Sequence, residues 1–106
     1  MKIDNDLQAI KLEGEPEVLK VSGTTNQEKL RDSIMVAFRK KHNHVLRTIG
    51  AGTLNTAVKA CVNANFELSK TFPMRLFLEF RWITIPGDGN NISGFEITPI
   101  YCFEDK

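Results

Sequence analysis

The C-terminal part of the chain contains two long apolar segments separated by a turn, and this pattern constrains the fold most strongly. Residues 74–85 (MRLFLEFRWITI) and 92–103 (ISGFEITPIYCF) are rich in β-branched and aromatic residues, as strands are. Between them, residues 86–91 (PGDGNN) are typical of a turn that joins antiparallel strands. Pro99 removes one donor from the second strand, which indicates an edge position or a bulge there. We therefore predict a long C-terminal hairpin.

The two faces of the first hairpin strand differ in composition. One face carries the five apolar residues Met74, Leu76, Leu78, Phe80 and Trp82. The other face mixes charged residues with Phe77, Ile83 and Ile85. These three apolar side chains would be exposed on an ordinary two-layer domain. The pattern therefore indicates a subunit contact or an aromatic binding platform on that face.

Strand and helix patterns alternate upstream of the hairpin. Residues 17–22 and 45–49 are predicted strands, and residues 25–41 and 53–65 are predicted helices, each with one apolar stripe. The first helix is expected to begin at a capping box formed by Thr25 and Glu28, and its stripe contains Leu30, Ile34, Ala37 and Phe38. Strand–helix–strand units place parallel strands side by side. The predicted fold is α+β, a two-layer βαβαββ arrangement with a four-stranded mixed sheet and two helices on one face.

The remaining segments and the composition indicate one globular domain. Residues 1–15 are interpreted as a flexible N-terminal extension or an added edge segment, and residues 16–106 as the domain. The chain of 106 residues is 42% apolar and 25% charged, which is typical of globular proteins. Nothing approaches the roughly 18 to 20 apolar residues that span a bilayer, and the N-terminus has no signal-peptide pattern. We expect a cytoplasmic protein with no membrane partner.

The residue types that most often carry catalysis or bind metals are sparse. Cys61 and Cys102 form no C-x-x-C pair and are expected to be buried small hydrophobic residues. His42 and His44 lack a nearby third ligand, so we interpret them as part of a polar turn between two elements. No nucleophile–base pair is apparent in the sequence. We expect no enzymatic activity, metal, cofactor or small-molecule substrate.

Positive charge is concentrated in the middle of the chain. Residues 20–59 contain eight Lys and Arg residues and two acidic residues, whereas both flanking segments have more acidic than basic residues. Such a block fits a surface that contacts phosphate groups. Part of it has another explanation, because residues 39–41 (RKK) close a predicted helix, where cations meet the negative end of the helix dipole.

A glycine-containing turn joins the second predicted strand to the second helix. Gly50-Ala51-Gly52 precedes the helix start, where free amide groups can bind phosphate. A dinucleotide-binding motif is excluded because Asn55 occupies the position of its third glycine, and no Walker motif is present. For Gly50 and Gly52, a tight, closely packed turn and a ligand-binding role both stay open.

Residues 49–60 (IGAGTLNTAVKA), residues 17–22 (EVLKVS) and the aromatic strand with its Gly-Asp-Gly turn resemble the stage V sporulation protein S family. The resemblance covers about residues 16–103. It implies an Alba-like βαβαββ fold, a superfamily that binds DNA and RNA, usually as dimers. It also implies a small cytoplasmic regulator of development. By this resemblance Lys20, Gly50, Gly52, Asn55 and Lys59 match family positions. The chain departs from Alba proteins at Ala51 and residues 22–24, where those proteins carry basic residues.

Two functional hypotheses follow. The first is a regulator that binds nucleic acid with low sequence preference. The cations Lys20, Arg47 and Lys59 would contact phosphates, and Asn55 would contact a phosphate or a base edge. Gly50 and Gly52 would allow the backbone to approach the ligand closely. The second is an assembly module that meets a second copy or another protein through Phe77, Ile83 and Ile85. A homodimer or higher homo-oligomer would serve both. The sequence leaves the choice between DNA and RNA open.

Overall fold

The computed structural model describes residues 7–87 and 89–104. The elements are β1 (Leu7–Ala9), β2 (Glu13–Val21), α1 (Gln27–Arg39), β3 (His42–Thr48), α2 (Ala51–Ser69), β4 (Met74–Pro86) and β5 (Asn91–Glu104). The predicted two-layer α+β fold is confirmed, and β1 makes the mixed sheet five-stranded rather than four-stranded. Residues 1–6 of the predicted extension and Asp88 of the predicted turn lie outside the described residues. The domain boundary at residue 15 stays a prediction.

The sheet is organised around β5. This strand pairs antiparallel with β4 over the whole range Met74–Pro86, and on its other side with β3 and β1. β2 pairs parallel with β3, as the first strand–helix–strand unit predicts. The second strand–helix–strand unit, β3–α2–β4, was predicted to place its two strands side by side. Instead, β5 lies between β3 and β4.

Pro99 lies in the central strand β5 but has a partner strand on one side only, so its local position is an edge position, as predicted. The β4–β5 register continues through the Leu78–Pro99 pair without a shift, so no bulge forms there. The β3 ladder ends at Ile97 and the β1 ladder begins at Cys102. Pro99 therefore lies between two ladders, where its missing N–H interrupts neither of them.

Both helices begin at residues other than those predicted. Asn26, not Thr25, caps α1, and its side-chain oxygen accepts a hydrogen bond from the Lys29 amide at 3.0 Å. Thr25 instead accepts a hydrogen bond from the Ser22 amide at 2.8 Å and closes the preceding turn. α2 begins directly after Gly50, and it continues to Ser69, beyond the predicted end.

The two histidines belong to β3 rather than to a turn. His44 is buried, and its Nδ1–H donates to the His42 carbonyl at 2.8 Å, while the Tyr101 hydroxyl donates to Nε2 at 2.7 Å. These two bonds satisfy a neutral imidazole. Burial lowers the pKa of His44 below its ordinary value. The turn interpretation was wrong because the partner that allows burial lies far away in the sequence.

The core lies between the helices and one face of the sheet. All four residues of the predicted α1 stripe are buried there. The sheet contributes Val21, Leu46, Ile97 and Tyr101. Cys61 is fully buried in this core, as predicted, and burial raises the pKa of its thiol to about 12. Cys102 is only half-buried. We call the sheet surface under the helices the covered face and the opposite surface the open face.

Candidate nucleic-acid interface

Four charged side chains lie side by side across the open face. The strand register aligns Lys20 with Arg47, Arg47 with Glu96, and Glu96 with Arg81. Because successive side chains of a strand alternate between faces and Leu46 lies in the covered core, Arg47 and its aligned neighbours point to the open face. We call Lys20, Arg47, Glu96 and Arg81 the charged row.

Glu96 organises the centre of this row. Its carboxylate accepts a hydrogen bond from Arg47 Nη2 at 3.1 Å, and Arg81 Nη1 lies 3.9 Å from its other oxygen. The Arg81 side chain is 77% exposed, whereas that of Arg47 is 37% exposed. The carboxylate thus lies between two guanidinium groups, and with Lys20 beyond Arg47 the row keeps a net positive charge. Its exposed ends, Lys20 and Arg81, are the side chains most accessible to an anionic ligand.

Sequence reasoning found Lys20 and Arg47 but missed Arg81 and Glu96. The sequence does contain information that aligns Arg81 with Glu96. The predicted turn over residues 86–91 defines a hairpin register in which residue 81 lies opposite residue 96. The alignment of this pair with β3 required the tertiary structure, because no turn links β3 to β5 directly.

The glycine-containing turn forms the start of α2. Gly50 has a φ of 95°, a conformation that L side chains rarely adopt, and it offers no side-chain cap to the helix. A Cβ atom at Gly50 or Gly52 would meet nothing within 4 Å. Glycine is therefore required at residue 50 by backbone conformation rather than by close packing. Asn55 and Lys59 are exposed one turn apart on α2.

The six predicted nucleic-acid-binding residues form two groups. Lys20 and Arg47 lie on the open face, whereas Gly50, Gly52, Asn55 and Lys59 belong to the helix layer on the covered side. Gly50, Gly52 and Asn55 lie near the end of the sheet where the parallel strands β2 and β3 finish, whereas Lys59 lies in the middle of α2. The structure thus places the two groups on opposite sides of the sheet. Their binding roles stay predictions.

The predicted interface residues share the open face of the hairpin. Phe77 is 42% exposed, and Ile83 and Ile85 are half-buried. Ile100 lies opposite Phe77, and Ile92 lies opposite Ile85. These five residues form two groups, with Glu79 and the Arg81–Glu96 pair between them, and together we call them the apolar patch. Its role as an interface stays a prediction.

Along β4, the side chains on the covered face become progressively more exposed. Met74 is buried, Leu76 and Leu78 are half-buried, and Phe80 and Trp82 are 52% and 64% exposed. The alternation of residues assigned all five to one apolar face. The far end of the hairpin therefore exposes two aromatic rings that the pattern alone does not distinguish from core residues.

The described residues contain neither a metal-binding cluster nor a membrane-spanning helix. No three His, Cys, Asp or Glu side chains in residues 7–87 and 89–104 come together in a group that could hold a metal ion. Neither helix in this part of the chain is long and apolar enough to cross a membrane.

Comparisons with known proteins agree with this architecture. A family model described as Stage V sporulation protein S (SpoVS) matches residues 17–97. Among solved structures, the fold is similar to Alba from Thermoplasma volcanium, with a TM-score of 0.56 and 12% sequence identity, covering 83% of this chain and 100% of that chain. At this identity the likeness shows the fold alone. No curated protein sequence matches the chain.

Proposed function

Because the chain belongs to the stage V sporulation protein S family, we propose that it is a cytoplasmic regulator of development that binds nucleic acid as a dimer. In this proposal it holds the sugar–phosphate backbone of DNA or RNA with low sequence specificity, without catalysis. The observation that carries the proposal is the charged row on the open face, where three cations and one carboxylate are aligned across four strands.

The geometry of the row suits a backbone rather than base edges. Neighbouring strands lie about 4.8 Å apart, so the row spans roughly 14 Å across an open sheet surface. Cations on such a surface contact phosphates and release counterions, which makes affinity fall steeply with salt. Phosphate contacts position a protein without reading the sequence. Glu96 orients Arg47 within the row, while Lys20 and Arg81 supply the exposed charge.

The apolar patch supports the dimer. It lies on the same face as the charged row, since Arg81 is located between Phe77 and Ile83 on one side of β4. A second copy docked through the turn end of the patch, at Ile83, Ile85 and Ile92, would bring two charged rows into one assembly and leave the Lys20 end of each row open. The start of α2, with Asn55 and Lys59, is the second expected contact, on the other side of the sheet.

The test is a fluorescence-anisotropy titration with labelled duplex DNA, single-stranded DNA and RNA at low and physiological salt. The double variant Lys20→Ala/Arg81→Ala should weaken binding and reduce the duplex salt slope by about 1.8, which corresponds to two lost phosphate contacts. Arg31→Ala/Lys70→Ala is the matched control, because it removes the same charge from cations paired within the helices. Equal loss in both variants, or no loss in the first, would refute the proposed surface.

Lys59→Ala tests the second group of residues separately. A loss of affinity comparable to the effect of one charged-row cation would support a footprint that extends around the end of the sheet. Unchanged affinity would restrict the footprint to the open face.

The alternative function is an assembly module of the same fold that does not bind nucleic acid. The exposed apolar patch is the observation that favours it, because apolar surface of this kind marks interaction sites. Light scattering at increasing protein concentration tests the assembly. A chain that stays monomeric at high concentration would contradict both this alternative and the dimer in the main proposal.

A further inference from the structure

Trp82 is an aromatic side chain held in place yet open to solvent. It is 64% exposed, and its ring packs edge-to-face against Phe95 with a centroid distance of 5.4 Å and an interplanar angle of 88°. This contact leaves much of the indole surface free. The residue lies on the part of β4 that extends beyond the cover of the helices. It is also the only tryptophan of the chain.

A narrow apolar slot lies between Trp82 and the start of α2. Gly50, Ala51 and Leu54 line it on the helix side, and Trp82 and Phe95 line it on the sheet side. Its volume is about 240 Å³. Sites that enclose a drug-sized ligand measure about 300–1,000 Å³, so this slot suits one planar ring system rather than a larger molecule.

Among the described residues no cation lines the slot itself, and the nearest member of the charged row, Arg81, lies on the other face of the sheet. Trp82, Phe95 and Thr48 form the row of aligned residues one step along the strands from the charged row. Arg81 and Trp82 are consecutive residues of β4, which pairs with β5 on one side, so their side chains point to opposite faces at the same place on this edge strand. The ring slot and a highly exposed guanidinium are thus separated only by the thickness of the strand.

This pairing of an aromatic slot with a cation matches the two chemical parts of a nucleotide. The base presents a flat, weakly polar face, and the phosphate carries negative charge. A strand that passes over the edge of β4 can place a phosphate at Arg81 and insert a base beside Trp82. The Glu96 carboxylate near Arg81 is shared with Arg47, so one acidic group serves two guanidinium groups and a phosphate can pair with Arg81. An apolar side chain from a protein would fill the slot but would bring no such negative charge.

We propose that the slot binds one unpaired nucleobase stacked on Trp82, so that the ligand class of this protein is single-stranded RNA or DNA. The inference rests on the proposed nucleic-acid function and specifies its ligand. Duplex DNA is disfavoured because its bases are already stacked, and extruding one costs a few kcal/mol. Base–aromatic stacking is tolerant of sequence, which agrees with low sequence specificity.

The single tryptophan allows a direct test on the unmodified protein. We would titrate it with labelled oligouridylate and oligothymidylate, and with a duplex of the same length, following tryptophan fluorescence and oligonucleotide anisotropy in the same samples. Stacking should change the fluorescence of Trp82 along the same binding curve as the anisotropy. The duplex should bind more weakly and leave the fluorescence unchanged.

Variants then separate stacking from general binding. Trp82→Ala should weaken single-strand binding by about 5- to 100-fold, whereas Trp82→Phe should keep most of the affinity. Phe66→Ala is the matched control, since Phe66 is 63% exposed but lies elsewhere, on α2. It should leave binding unchanged. Circular dichroism of each variant confirms that it is folded.

Each other outcome has a defined meaning. Single-strand binding with constant tryptophan fluorescence and no effect of Trp82→Ala would overturn this inference and leave the proposed function intact. The absence of binding to any polymer at low salt would overturn both. A fluorescence change that depends on protein concentration without nucleic acid would assign the slot to a second copy, and would also overturn the inference.

Discussion

The covered face of the sheet buries Leu46 and Ile97 completely, whereas Arg47 and Glu96, the adjacent residues of the same strands, form an ion pair on the open face. One strand pair thus supplies both the core and the candidate binding surface. This is possible because strand side chains alternate between faces, so one residue step changes the environment from apolar to aqueous. The comparison shows how a small domain places charge one residue from its core, where the Glu96 side chain, only 18% exposed, is paired with Arg47.

Neither face is uniform along its length. On the covered face, Phe80 and Trp82 are exposed where the hairpin extends past the helices. On the open face, Val45 is only 8% exposed, although its cross-strand neighbour Val18 is 38% exposed. Local packing, in addition to the alternation of residues, therefore determines burial.

The largest expected difference between the faces concerns stability. Leu46→Ala should lower the free energy of unfolding by about 2–5 kcal/mol, because it leaves a cavity in the core. Val18→Ala on the open face should change it by about 0.5 kcal/mol or less. Urea denaturation measures both values. A comparable loss in both variants would mean that the open face is covered in solution by a second copy.

The polar pair within the covered face should give the next largest effect. Tyr101→Phe removes the donor that satisfies Nε2 of the buried His44. An unsatisfied buried acceptor costs about 1–3 kcal/mol, so the free energy of unfolding should fall by that amount at neutral pH. Urea denaturation of the variant beside the parent chain would reveal it. An unchanged value would mean that the hydroxyl makes no net contribution.

The same histidine predicts a pH dependence of stability. The pKa of His44 is lowered in the folded state by burial, so the unfolded chain takes up its proton first as the pH falls. Stability is then complete above the ordinary histidine pKa of about 6.5 and decreases as the pH falls below it. Thermal unfolding between about pH 5 and pH 8 should show this decline.

A matched pair of variants assigns the pH effect to one residue. His44→Gln should flatten the decline of melting temperature below neutral pH, although it also lowers stability overall. His42→Gln should preserve the decline. If both variants kept the full pH dependence, other groups would be responsible for it.

A small effect on stability is expected for the ion pair of the open face. Glu96→Gln removes the carboxylate that pairs with Arg47, and because Arg47 is more than a third exposed, we expect a loss of about 1 kcal/mol or less. The same change makes the charged row more positive. Nucleic-acid affinity should therefore rise at low salt, as measured by anisotropy. Reduced affinity would indicate that Glu96 matters more for positioning Arg47 than for neutralising it.

Much of the architecture is predictable from local patterns. The apolar stripe of α1, the hairpin and the parallel pairing of β2 with β3 all follow from periodicity and connection rules. The hairpin register also follows, because it depends on a turn within one contiguous segment. Helix ends were less predictable, since Thr25 and Asn26 are adjacent and both are good caps. The choice between them depends on the hydrogen bond that Thr25 makes with Ser22.

Periodicities within short segments were enough to predict the order of the elements from β2 to β5, the apolar stripes of the helices and the hairpin. The burial of His44 against Tyr101, the position of the predicted binding residues on two sides of the sheet, and the slot between Trp82 and the start of α2 could not be predicted in this way. Each of these features depends on contacts between segments far apart in the chain. Such contacts are set by how the layers pack, and no local pattern specifies them.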